Sequence, residues 1–415
     1  MATSAWTLIC VPAGFGLEMM CNSWKTGELF PALCDAIDHA RTSVHLETYI
    51  FKLDRSGRKI LDALKRAARR GIAVRVVVDG FGSADVAEDI REEIEHSGGI
   101  CRLYRPEPKW FHWLAFHPDR LRRLHRKITI VDGETAFIGG INIEDDFPAS
   151  THHSEHPEPR YDYAVRMTGP AVADAIHAVN QLWLRLNWVA LGRSVTSWRH
   201  IRQQARLLLK TIHTVSPLPA DVRLVEAGIV LRDNLRFRRT IEQVYLHFIQ
   251  QAKHDIIIAN AYFLPGRRLR RALKKAAKRG VRVRLLLQGQ VEYRLQSHAT
   301  RWIYDQFLSA GVEILEYMPS YLHGKVAVMD GIATVGSSNL DPFSLLLARE
   351  ANVVVRDDVF VDKLKQSLER AIQRGSVVVD SSSHEKRGFI LRCMDAMAYL
   401  FVRFGVAITG QGQDY

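Results

Sequence analysis

ALKRAARRGIAVRVVVDG at residues 63–80 and ALKKAAKRGVRVRLLLQG at residues 272–289 align without a gap. Among the identities are Lys65 with Lys274, Arg70 with Arg279, Gly71 with Gly280 and Arg75 with Arg284. Each copy reads as a helix rich in Ala, Leu, Lys and Arg, ended by a glycine at its C-cap, and then a buried strand that closes on a second glycine. Upstream lie matching apolar runs, Val44–Phe51 and Ile257–Leu264, with Tyr49 opposite Tyr262 at the strand ends. Strand, helix, strand, twice over, predicts an α/β protein built by internal duplication.

Each copy is followed by the same chemical signature. His125-Arg-Lys127 leads through an apolar strand to Asp132 and then Gly139-Gly-Ile-Asn142, while His323-Gly-Lys325 leads to Asp330 and then Gly336-Ser-Ser-Asn339. Residues two apart on a strand share a face, so each histidine projects beside its lysine. Breaking a phosphodiester without a metal needs a nucleophile, a proton donor for the leaving alkoxide and cations against the phosphoryl oxygens. Two histidines, two lysines and two asparagine amides supply all three. One His-x-Lys-x4-Asp would be weak evidence, since a strand histidine is commonly structural. Two at equivalent places of a duplicated chain point to one site in two halves.

The remaining features bound this reading. A chain of 415 residues suits two or three domains, and its 47% apolar content can build buried cores. A net charge of +12 favours anionic partners without choosing among nucleic acid, lipid and phosphorylated small molecules. Five cysteines, scattered and without zinc spacing, argue against a disulfide framework and for a reducing compartment. Residues 1–20 lack the basic n-region and cleavage site of a secretory signal.

Phe389–Ile408 is apolar except for Arg392, Asp395 and Arg403, which share a narrow helical stripe. That pattern suits a helix lying on a membrane surface, or docked on the protein's own core, better than one crossing a bilayer. The first half carries extra residues around Trp110–Phe116, an aromatic segment suited to packing a long loop or touching lipid. His152, His153, Glu155 and His156 lie between two prolines in a polar loop, and read as surface rather than as a metal site.

The paired motifs resemble those of the phospholipase D superfamily, and within it the bacterial cardiolipin synthases. The likeness runs over roughly residues 23–380, through the Glu47-Thr-Tyr strand, both motifs, Asp162-Tyr-Ala-Val-Arg, Ala259–Gly266, Asn339–Ser344 and Glu350-Ala-Asn-Val. It implies two α/β/α sandwich halves related by a pseudo-two-fold axis, with the motifs meeting between them and a C-terminal amphipathic helix.

It also implies the roles. One histidine, taken as His125, attacks phosphorus and carries the phosphatidyl group; His323 protonates the departing glycerol and then deprotonates the incoming hydroxyl. Lys127, Lys325, Asn142 and Asn339 hold phosphoryl oxygens. Asp162 and Glu350 each orient the histidine of the opposite half, and Asp132 and Asp330 brace the motif strands. Two departures from the family pattern stand out. The second motif is one residue shorter between Asp330 and Gly336, which threatens to displace Asn339. Gly27 also meets Glu28 directly where the family has a strand and turn, so the first sheet is expected to lack an edge.

The expectation is therefore a cardiolipin-forming phosphatidyltransferase acting on phosphatidylglycerol, with a phospholipase D-type phosphodiesterase or nuclease as the alternative. A lipid-binding scaffold without turnover is a third class. No cofactor and no metal are expected, nor a nucleic-acid partner. The partners are an anionic phospholipid and the membrane surface, on the cytoplasmic side of a bacterial inner membrane. Residues 22–190 and 222–378 form the two halves, 191–221 the linker and 379–415 the membrane-surface tail.

Overall fold

The computed structural model of the chain describes residues 17–22, 28–106, 122–146, 158–191, 225–233, 237–380 and 387–408. The aromatic segment Trp110–Phe116, the cluster His152–His156 and most of the proposed linker lie outside them.

The duplicated stretch folds as its pattern predicts. The helix Arg55–Arg69 is N-capped by Asp54, whose side chain accepts from Gly57 N–H, and the chain reverses at Gly71 with φ +85° into β3 (Ala73–Asp79). In the second half, the helix Arg267–Lys278 ends at Gly280 with φ +89°, before β10 (Arg282–Gln288). An L side chain is disfavoured at such φ, which explains why both copies keep glycine there.

Each half is a mixed sheet. β2 (Ser43–Thr48), β3 and β4 (Ile100–Tyr104) run parallel. The motif strand β5 (Lys127–Val131) joins β2 antiparallel, followed by β6 (Thr135–Gly139) and β7 (Asp162–Thr168). The second half repeats this with β9 (Asp255–Asn260), β10 and β11 (Glu313–Tyr317) parallel. They are followed by the antiparallel strands β12 (Lys325–Met329), β13 (Ile332–Gly336) and β14 (Glu350–Arg356).

The edge expected to be missing is present. Strand β1 (Leu17–Asn22) pairs antiparallel with β7, as β8 (Glu226–Arg232) does with β14. Residues upstream of the departure from the family pattern thus supply the strand.

The shortening of the second motif falls in a turn. Asp132-Gly-Glu134 joins β5 to β6, but Asp330-Gly331 suffices between β12 and β13. Lys127 pairs with Gly139 and Val326 with Val335, so both hairpins hold the same register up to the Gly-x-x-Asn sequel. Asn339 is not displaced, because a residue removed from a turn leaves the alternation of the flanking strands intact.

The inner faces of the two sheets share one core. Ile128, Ile138, Tyr163 and Val165 of the first half meet Val326, Val335, Ala351 and Val353 of the second. Two helices, Val172–Leu191 and Asp358–Gly375, cover the rest of those faces. The site lies along this seam.

The C-terminal helix Phe389–Ile408 docks one face on the second half and leaves its broad apolar face outward. Of its polar stripe Asp395 faces the protein: 2% exposed, it is held 2.6 Å from His298 Nδ1 and 2.6 Å from Arg387, while Arg392 stays exposed at the edge. Ala398, Val402 and Val406 complete the docked face. Met394, Met397, Leu400, Phe401 and Phe404 are left outward and exposed. A buried carboxylate must be paired, and its partners sit on the body of the protein (His298) and at the helix's own entry (Arg387).

Candidate active site

Main-chain bonds across the seam place each histidine beside a carboxylate of the other half. His125 N–H donates to Arg349 C=O at 3.0 Å, and the next residue is Glu350. His323 N–H donates to Tyr161 C=O at 2.9 Å, and the next residue is Asp162. The same crossing recurs in the bridges Leu124–Arg349 and Tyr161–Leu322. Side-chain contact follows from this backbone register.

His125 Nδ1 lies 2.9 and 3.2 Å from the two oxygens of Glu350, and His323 Nδ1 lies 2.6 Å from Asp162 Oδ2. Ionised carboxylates only accept, so each Nδ1 carries the proton and each Nε2 keeps a lone pair. The carboxylates are fully buried while the imidazoles stay 15% and 16% exposed, open on the reactive side. Burial pushes His125 down to about 4, against the pull of Glu350. His323 is lowered by burial and then by Lys325, although Asp162 opposes both. Burial alone would raise Asp162, but Lys325 and His323 outweigh it and hold this carboxyl below its ordinary range.

Lys127 and Lys325 point into the same place. Each ammonium donates to the carbonyl of its own histidine, Lys127 at 2.7 Å and Lys325 in a short contact with His323 O. Burial lowers Lys127 to about 7 and Lys325 to about 8, with Glu350 and Asp162 pulling upward. Each ammonium has three N–H donors and gives one to a carbonyl, so the pair has donors to spare for the oxygens of an anion such as a phosphodiester. Asn142 and Asn339, both buried, stand at the ends of the hairpins that carry the lysines.

Asp132 and Asp330 do not join this group. At the far ends of β5 and β12, Asp132 accepts backbone N–H groups of Arg41, Thr42 and Ser43, and Asp330 those of Lys253, His254 and Asp255. They fasten the motif strand to the loop before its neighbour, at the opposite end of the strand from the histidine and lysine. Both hold left-handed φ, +54° and +49°.

Several functional residues escaped the sequence reading. Asp79 Oδ2 accepts Leu124 N–H at 2.8 Å and Gln288 Oε1 accepts Leu322 N–H, so each steadies the residue preceding a site histidine. The signal was available, since Asp79 and Gln288 stand opposite each other in the aligned repeats. Ser337 donates to Glu350 at 2.5 Å, while its counterpart Gly140 leaves room for Asp162: a Cβ there would lie 2.4 Å from Asp162 Oδ1. The shorter acid goes with glycine and the longer with serine. Tyr49 packs its ring 4.8 Å from that of His125 and 5.4 Å from Lys127 Nζ. Tyr262 instead bonds Glu292 at 2.6 Å.

Crossed histidine–carboxylate pairs with two buried lysines, set on a duplicated α/β scaffold, define a phospholipase D-type site. The family described as "Cardiolipin synthase, PLD-like domain" matches residues 33–155 and 245–372. Cardiolipin synthase B of Salmonella typhimurium is 37% identical over 92% of this chain and 87% of its own length. Cardiolipin synthase B of Escherichia coli K12 is also 37% identical, over 94% and 91%. The crystal structure of phosphatidylserine synthase from Haemophilus influenzae superposes with TM-score 0.63 at 14% identity, covering 95% of this chain and 94% of that one, which shows a shared fold. The chain belongs to the cardiolipin synthase family of the phospholipase D superfamily.

Proposed function

We propose that this family member is a phosphatidyltransferase that moves a phosphatidyl group from one phosphatidylglycerol to a second, yielding cardiolipin and glycerol. The observation that carries the reading is the crossed pair of histidines, each with Nδ1 on a buried carboxylate of the other half.

In the first half-reaction His125 Nε2 attacks phosphorus, the P–N bond forms, and the P–O bond to the glycerol headgroup breaks. The imidazolium of His323 gives its proton to the departing alkoxide. In the second, a hydroxyl of the incoming lipid loses its proton to His323 and attacks phosphorus, and the P–N bond breaks. Lys127, Lys325, Asn142 and Asn339 balance the charge that develops on the phosphoryl oxygens. Glu350 and Asp162 fix the tautomers and stabilise the imidazolium when it forms.

A membrane-surface location on the cytoplasmic side of the inner membrane accords with this substrate. No described helix is long and apolar enough to cross a bilayer. The outward face of the C-terminal helix is a run of large apolar side chains of the kind that settles into an interface.

The test is lipid mass spectrometry on a cardiolipin-deficient bacterial host expressing the chain. Cardiolipin is expected with wild type, and none with His125→Ala or His323→Ala. Unchanged cardiolipin with the wild-type chain refutes the synthase reading, and nicking of plasmid DNA by the purified protein would move it to the nucleases.

A further inference from the structure

The two copies of the duplicated helix differ in how their charges are met. In the first half, Lys65 reaches Glu93 at 2.6 Å and Asp62 at 3.7 Å, and Arg66 reaches Asp38 at 2.7 Å. The helix Arg267–Lys278 contains no acid. Its Arg267, Arg268, Arg271, Lys275 and Lys278 are exposed and form no ion pair among the described residues.

The difference lies in three positions that the duplication makes equivalent. The aligned repeats set Arg271 opposite Asp62 and Lys275 opposite Arg66. Arg70 bonds the carbonyls of Ile37 and Ala40, and Arg279 those of Ile249 and Ala252, which places Gln250 where Asp38 stands. Gly99 N–H donates to Ile94 C=O and Val312 N–H to Phe307 C=O, which places Gln306 where Glu93 stands. Every carboxylate that meets Lys65 and Arg66 in the first half is thus replaced in the second, two by glutamine and one by arginine.

Arg268, Arg271, Lys275 and Lys278 are three or four residues apart, so they form one stripe along the helix. The helix starts beyond the C-terminal end of β9, the end at which Asn260 pairs with Lys325 of the site. There Arg270 lies 5.9 Å from the Tyr399 ring of the C-terminal helix, whose outward face exposes Met397, Leu400, Phe401 and Phe404. An unpaired basic helix and an unpartnered apolar face therefore adjoin at the site end of the second half. Nucleic acid answers only the charge. A bilayer rich in anionic lipid answers both, with headgroups for the cations and an acyl boundary for the apolar rings.

We propose that the basic stripe of Arg267–Lys278 is a docking surface for an anionic bilayer, acting beside the C-terminal helix, so that the second half is the one laid on the membrane. It rests on the membrane-surface location given above and adds which half makes the contact and that the contact selects lipid by charge.

The experiment is sedimentation of the full-length purified chain with vesicles of phosphatidylcholine alone and of equal parts phosphatidylcholine and phosphatidylserine. Wild type is expected to bind the charged vesicles more tightly and to lose that excess as salt rises. Arg271→Gln with Lys275→Gln should weaken binding to charged vesicles by about 25-fold, at about fivefold per basic residue, and leave binding to phosphatidylcholine unchanged. Gln250→Asp with Gln306→Glu removes no cation but restores the carboxylates of the first half, and should weaken charged-vesicle binding as well. Lys65→Gln with Arg66→Gln removes the same net charge from the first half and should change binding by less than about twofold. Equal wild-type binding to both vesicles, or charged-vesicle binding unaltered in both second-half variants, overturns the proposal. So does an equal loss in the first-half variant, or tighter retention on duplex DNA than on charged vesicles at the same salt. No vesicle here contains phosphatidylglycerol, so failure of the synthase reading would show in the lipid products and not in this binding.

Discussion

Replacing Asp162 by Asn keeps the shape of the residue and removes its charge, so it tests the crossed pairing directly. Asp162 Oδ1 accepts Tyr163 N–H at 2.7 Å and Oδ2 takes His323 Nδ1 at 2.6 Å. Tyr163 N–H is a donor, so an asparagine must give it the carbonyl oxygen and turn its NH2 to the imidazole. His323 Nδ1 then has to accept, and the proton moves to Nε2, where the lone pair is needed to activate the incoming hydroxyl. The charge-assisted bond to the imidazolium, about 1.5–3 kcal/mol, is lost as well. Its loss lowers the His323 pKa further, because Asp162 is what raises it against burial. The limb of the kcat profile reporting loss of the imidazolium proton should therefore move to lower pH. Together the two effects should reduce kcat by about 10²–10⁴-fold, with KM for phosphatidylglycerol little altered. The assay is the initial rate of cardiolipin formation in mixed micelles across pH, followed by mass spectrometry. A folded Asp162→Asn protein with kcat within about threefold of wild type and an unmoved profile would refute the orienting role.

The other expectations are as specific. Gly140→Ala drives a Cβ toward Asp162 and should cut kcat by about 100-fold with about 1–3 kcal/mol of lost stability, read by denaturant titration beside the rate assay. Asp132→Ala should cost about 1.5–3 kcal/mol in the same titration but leave the folded fraction turning over, because its bonds are to backbone far from the phosphate; loss of kcat without loss of stability would return it to the site. Lys127 near 7 and Lys325 near 8 are charged below those values, so kcat/KM should fall as pH rises through about 7–8, and a flat profile to pH 9 would contradict the phosphate-holding role. Met397→Glu with Phe401→Glu should weaken sedimentation with phosphatidylglycerol vesicles, whereas equal binding would place the membrane contact elsewhere.

How much of this was legible depends on whether a property is local or crosses the seam. The helix-glycine-strand repeat, the motif hairpins and the shared face of histidine and lysine follow from periodicities of a few residues, and each appears where the pattern put it. Resemblance supplied Asp162 and Glu350. The helpers Asp79, Gln288, Ser337 and Gly140 were overlooked although they occupy matched positions, because a side chain that bonds a backbone N–H forty-five residues on leaves no local pattern. The stripe of Arg392, Asp395 and Arg403 was recognised, but its direction was not. A helical period shows that two faces differ, and only the presence of His298 and Arg387 to pair Asp395 decides which one turns inward.

By itself, then, the sequence determined the duplicated α/β architecture and the chemical inventory of the site, since both rest on short-range spacing repeated in register. Tertiary structure decided what lies between the halves. Hydrogen bonds from His125 to Arg349 and from His323 to Tyr161 join segments more than 150 residues apart and set each imidazole on its carboxylate. It likewise turned Asp395 of the C-terminal helix inward onto His298 and Arg387, because packing around the shared fold, and not spacing along the chain, decides which groups meet.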